Sequence, residues 1–158
     1  MGISMDSFVE KGQSEVKDKL KEGTDKISGI GDEFNGVKEQ LSDMPDGLDS
    51  DLANMIKDAE QSGRAEAMSD IESARASLID TAKSAADTIK SGVTDKINDN
   101  NTARGKLDSI SSKYGKDAIG NAKTAIDANT QKGQDLLSNL ADAIRDADKD
   151  VEQVKSSL

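Results

Sequence analysis

A chain of 158 residues with 34 % hydrophobic residues, no Trp, one Tyr and two Phe is lean for a compact globule and suits thin, well-solvated helical packing. The net charge of −10, with Lys and Arg dispersed among the acids, lacks the clustered basic footprint of a nucleic-acid-binding protein and disfavours anionic membranes. With neither His nor Cys, the chain cannot build Ser-His-Asp or Cys-His catalysis, thiolate zinc sites, His-containing di-iron sites or disulfides.

No apolar run approaches the roughly 18 to 20 residues of a membrane span. No basic segment followed by an apolar one opens the sequence, so the expected location is cytoplasmic, or exported without a Sec signal. Met1-Gly2 fits a myristoylation start, but Asp6 stands where Ser or Thr is required.

Helix A is predicted over about 6 to 43. Its stripe runs Val9, Gly12, Val16, Leu20, Gly23, Ile27, Ile30, Phe34, Val37, Leu41, Met44, in steps of three or four. Asp6 or Ser7 is the expected N-cap. Gly12, Gly23, Gly29, Gly31 and Gly36 each weaken an isolated helix by about 1 kcal/mol relative to Ala, so helix A needs a partner surface. Gly12 and Gly23 lie on the stripe, where a missing side chain lets another helix approach.

Met44-Pro45-Asp46-Gly47 is a turn signal, with Asp49 as the next N-cap and Leu48 as a hydrophobic staple. Helix B is predicted over about 50 to 97, with Leu52, Met55, Ala59, Gly63, Ala67, Ile71, Ala74, Leu78, Ala82, Ala85, Ile89, Val93 and Ile97 on one face. Asp99-Asn100-Asn101-Thr102, after Asn98, predict a second break, with Thr102 able to cap the next helix. Helix C is predicted over about 103 to 156, through Leu107, Ile110, Tyr114, Ala118, Ala122, Ala125, Asn129, Gly133, Leu136, Leu140, Ile144, Ala147, Val151, Val154 and Leu158. Its weak point is Ser112 to Gly120.

The fold expected is all-α, a long antiparallel helical hairpin or three-helix coiled-coil-like bundle forming one domain. The expected core is Val16, Leu20, Ile27, Ile30, Phe34, Val37 and Leu41, then Leu52, Ile71, Leu78 and Ile89, then Leu107, Ile110, Leu136, Leu140, Ile144 and Val151. At 1.5 Å per residue helix A reaches roughly 55 Å against roughly 70 to 80 Å for B and C. It cannot cover them, and the uncovered stripe predicts a homo- or heterodimer. Partner-interface candidates are Val9, Val16, Leu20, Tyr114, Leu136 and Leu140, with the acidic Asp146, Asp148 and Asp150 as a docking face for a basic partner.

No catalytic residue, cofactor site or metal site is predicted. Asp49, Asp51 and Glu60 match positions 1, 3 and 12 of a calcium loop, but Ala53 and Asn54 break the pattern. Gly29 and Gly31 lack the strand context of a phosphate loop.

The first ninety residues resemble the WXG100/ESAT-6-like helical hairpins handled by type VII secretion systems. The likeness lies in the opening segment, a first helix of about forty residues, a turn at Met44-Pro45-Asp46-Gly47 and a second amphipathic helix. The family's Trp-x-Gly is not matched, and its Tyr-x-x-x-Asp/Glu signal finds Ala118 at the required offset from Tyr114. In size the chain is closer to the longer helical partners of LXG-type toxins, without a Leu-x-Gly. The resemblance implies a non-enzymatic protein that pairs through helices, exported itself or helping to present a toxin. Two other classes compete. Thr81 to Lys90 resembles the repeats of group 3 late-embryogenesis proteins, which are disordered in dilute solution. An apolipoprotein-like lipid binder is disfavoured by the acidic charge and scarce aromatics.

Overall fold

The computed structural model describes residues 4–44, 47 and 49–158. These are almost entirely helical, without strands among the described residues, and they pack as a helical bundle. The elements are α1 (Met5–Lys11), a π-helical segment (Gly12–Lys17), α2 (Asp18–Ser42), α3 (Ser50–Ile110) and α4 (Lys116–Ser157). The first three form one uninterrupted helix.

The π segment has a cause in the sequence. Phe8, Gly12, Val16 and Leu20 are all buried, at successive steps of four. Each such step overshoots an α-turn by roughly 40°, so three would rotate the stripe by about 120° away from its partners. A wider turn absorbs the surplus and keeps all four inward. Helix A starts at Met5, with Ser4 at the N-cap position but making no side-chain capping bond, instead of Asp6 or Ser7.

The predicted second break does not form. α3 runs from Ser50 through Asn98–Thr102 to Ile110, and Thr102 bonds back to the Asn98 carbonyl within the helix. The chain turns at residues 111–115 instead. Gly115 then starts α4, its carbonyl accepting from the Ile119 amide at 3.2 Å. The helix C predicted from about 103 is thus two elements, divided where its weak point lay. At the first break, Asp49 caps α3 by accepting from the Leu52 amide at 2.8 Å, and Gly47 has a positive φ of 84°. Pro45, Asp46 and the Leu48 staple lie outside the described residues, as does Met1-Gly2.

The chain packs as two compact units. One comprises Met1–Asp18 with Ala82–Ala143, the other Lys19–Thr81 with Ile144–Leu158. In the first unit, Met5, Phe8, Val16, Ala82, Ile89, Val93, Ile119, Leu136 and Leu140 form the core. α3 and α4 run antiparallel, and α1 joins them with its residues seated on glycines. Phe8 lies against Gly92 and Met5 against Gly133, while Leu136 and Leu140 lie against Gly12. A Cβ at Gly12 would stand 2.8 Å from Leu136 Cδ1, and one at Gly133 2.7 Å from Met5 Cε.

In the second unit the core is Leu20, Ile27, Phe34, Ala67, Ile71, Leu78, Ala147 and Val151. Leu78 packs on Gly23 and Val154 on Gly31, where a Cβ would come within 2.6 Å of Val154 Cγ1. Small residues thus let the helices close without large side chains, which is how an aromatic-poor chain still packs.

Several expected core positions differ. Ile30, Leu41, Leu107 and Ile144 are only half-buried, and Val37, Leu52 and Ile110 are exposed. Near Ile110, the stripe traced through Tyr114 and Ala118 crosses a turn. Once the register restarts at Lys116, Ile119 is buried and Ala118 faces out.

Candidate functional site

The residues proposed as a partner interface separate into three groups. Val16, Leu20, Leu136 and Leu140 are buried in the chain's own core, and Val9 is half-buried, so these side chains already have intramolecular partners. Tyr114 is 59 % exposed, in the turn between α3 and α4. Asp146 and Asp150 are exposed, whereas Asp148 is engaged within the chain.

That engagement belongs to a cross-helix charge network in the second unit. Arg75 on α3 donates to Asp148 on α4 through Nε at 2.7 Å and Nη2 at 2.8 Å, a bidentate pair. It also reaches Glu152 and, at 3.5 Å, Glu72. Lys155 completes the network with Glu72. Hydrogen bonding to Asp148 is the main cause that raises the Arg75 pKa, and the Lys155 ammonium holds the Glu72 carboxyl below its ordinary range. The acidic face of α4 is therefore partly neutralised by α3. Pairs of this kind fix the register of α3 on α4.

Also in the second unit, Arg64 stacks over Phe34 at 5.7 Å, bonds Glu60, and donates from Nε to the Leu158 backbone oxygen at 3.0 Å. In the first unit, Arg104 pairs with Asp127 at 3.0 Å and Lys123 with Asp108. Both carboxyls are held below their ordinary values by these cations. Asn100 is buried and donates to Thr130 Oγ1 at 3.2 Å.

Two open grooves flank α2. One of about 380 Å³ is lined by Ile27, Gly31, Val151 and Val154, with Asp25, Asp32 and Asp150 among its polar residues. The other, of about 360 Å³, lies over Leu78 and Gly23 with Lys19, Glu22 and Lys26 beside it. Among the described residues no group of three or more His, Cys, Asp or Glu is placed to hold a metal ion. Asp49, first of the calcium-loop count, is used as a helix cap.

The features best suited to recognition are the two inter-helix turns. In the second unit, the far ends of α2 and α3 leave Val37, Met44, Leu52 and Met55 exposed, Met55 at 66 %. In the first unit, the turn between α3 and α4 leaves Ile110 and Tyr114 exposed. Large apolar groups grouped in water mark interaction surfaces more often than isolated ones do. Sequence patterning assigned Val37, Leu52 and Ile110 to the core because they continue the stripe. The missing signal was which helices remain alongside them. Among the described residues, no helix is long and apolar enough to cross a membrane. No family model, curated protein or solved structure matches this chain.

Proposed function

We propose that the chain is a non-enzymatic helical interaction protein, working as an exported subunit or toxin-presenting partner of a type VII-like secretion system. The observation that carries this reading is the exposed set Val37, Met44, Leu52 and Met55 on a two-helix turn. These side chains favour a partner surface because leaving them in water forfeits about 25 cal/mol per Å² of apolar area. The resemblance of the first ninety residues to secreted helical hairpins supplies the export half of the reading.

The test is fractionation of the native host, probing cells and cleared medium beside a cytosolic lysis marker. Protein in the medium without the marker, lost on deletion of the export ATPase, is the expected result. Retention in cells, together with failure to co-purify a secreted toxin, overturns the reading. A late-embryogenesis-like role is disfavoured by the burial of Ala82 and Ile89 inside the stretch that suggests it. A non-cooperative far-UV melt of the purified chain would reinstate it.

A further inference from the structure

The two exposed turns differ in charge. Around the α2–α3 turn, the exposed carboxylates Glu39, Asp43, Asp49, Asp51 and Asp58 stand against Lys38 and Lys57. Around the α3–α4 turn, Arg104 and Lys123 are taken up by Asp127 and Asp108, and Lys106, Lys113 and Lys116 stand against Asp117, a reversal of sign in a chain whose net charge is −10. Each turn also presents apolar side chains to water. Met55 and Leu52 stand among the acids, and Tyr114 and Ile110 stand beside Lys113 and Lys116, which are exposed too.

We propose that the chain self-associates through unlike turns: the basic α3–α4 turn of one copy docks on the acidic α2–α3 turn of a second copy. An apolar centre with an oppositely charged rim is the usual anatomy of a specific contact. Pairing of like turns would bring an acidic rim against an acidic rim in one case and a basic rim against a basic rim in the other. The unlike pair is the combination that gains from both terms. Repulsion from the net charge acts over the rest of the surface and is screened within about 8 to 10 Å at ordinary salt, whereas the rim charges meet directly. The two surfaces in contact differ, and copies joined in this way form a closed dimer, a ring or an open chain. A contact built on a few exposed side chains at each turn is reversible and concentration-dependent. The proposal is independent of the export reading, since it concerns the purified chain alone.

Sedimentation velocity over a concentration series tests it, using the full chain and two charge-reversed variants. Lys113→Glu/Lys116→Glu makes both turns acidic, and Glu39→Lys/Asp43→Lys/Asp58→Lys makes both basic. All five positions are exposed, and far-UV spectra verify that both variants remain helical. The expected result has three parts. The mean mass of the natural chain rises above that of the monomer with concentration, and the rise weakens as salt increases. Each variant alone associates about tenfold or more weakly. An equal mixture of the two recovers the association, because every acidic turn then finds a basic one. The proposal is overturned by a monomer at every concentration, by K113E/K116E associating like the natural chain, by association that strengthens with salt, or by a mixture no more associated than its components.

Discussion

Asn100, buried on α3, donates from Nδ2 to Thr130 Oγ1 on α4 at 3.2 Å. This bond lies in the stretch that the residue types alone mark as a break. It shows why the helix continues there. Asn and Thr have poor helix propensity, but the difference is a few tenths of a kcal/mol per residue. The hydrogen bond from the buried Asn100 to the half-buried Thr130 offsets it.

Replacing Asn100 alone by Ala should lower stability by about 1 to 2 kcal/mol, from the lost bond and lost packing. The double change Asn100→Leu/Thr130→Val should recover most of that loss, since it removes both polar partners. Urea unfolding of the two variants checks this. Equal destabilisation by both would show that the hydrogen bond is not what holds the site.

How legible the chain was can be judged from such places. The stripe found Val16, Leu20, Ile27, Phe34, Ile71, Leu78, Ile89, Leu136, Leu140 and Val151, all buried, because three- and four-residue spacing reports helical faces directly. It failed at Asn98–Thr102 and at Tyr114, where the outcome depends on a contact between residues thirty positions apart or on where a turn resets the register. It also missed the π segment, since a step of four looks alike whether the helix drifts or widens. Among the interface candidates, Tyr114 is the large apolar side chain that the fold leaves exposed. The charge contrast between the two turns was not legible, because it appears only once the turn positions are known.

The glycines give a prediction of opposite signs. A Cβ at Gly29 or Gly36 would meet nothing within 4 Å, so Gly29→Ala and Gly36→Ala should each stabilise by about 0.5 to 1 kcal/mol. At Gly31 the added atom would fall 2.6 Å from Val154 Cγ1, and the β-branched Val154 has little freedom to move. Gly31→Ala should therefore destabilise by about 1 to 3 kcal/mol, despite the same gain in propensity. Thermal melts of the three variants separate the cases. A raised melting temperature for Gly31→Ala would mean that the helices do not approach as described.

Arg75 tests how far geometry matters beyond charge. Lys at this position keeps the charge but cannot make the two parallel bonds to Asp148. Arg75→Lys is expected to cost about 0.5 to 1 kcal/mol, because the Arg side chain is only 23 % exposed while its partners remain half in water. The loss should shrink when measured in high salt. A change confined to Arg75→Ala, with Arg75→Lys indistinguishable from the natural chain, would show that only the charge contributes.

Acid sensitivity follows from the carboxylates paired across helices. Arg104, first by hydrogen bonding and then by its charge, holds Asp127 below its ordinary value of 3.8, and Lys123 does the same for Asp108. A carboxyl whose pKa is lowered by folding binds fewer protons in the folded chain than in the unfolded one. Its stabilisation is therefore complete above the ordinary value and is lost as pH falls through the lowered one. Lys155, raised above its ordinary 10.5 by Glu72, works in the other direction: its share is complete below 10.5 and is lost as pH rises through the higher folded value. The melting temperature should thus hold a plateau through neutral pH and fall in acid. In Arg104→Gln, Asp127 loses the cation that hydrogen-bonds it, while the charge of Lys123 still acts on it. The variant should melt lower than the natural chain on the plateau and converge with it as acid protonates Asp127 in both. Melting curves from neutral pH into acid measure the gap between the two proteins, and a gap that stays constant below the ordinary value would exclude the Arg104–Asp127 pair as its source.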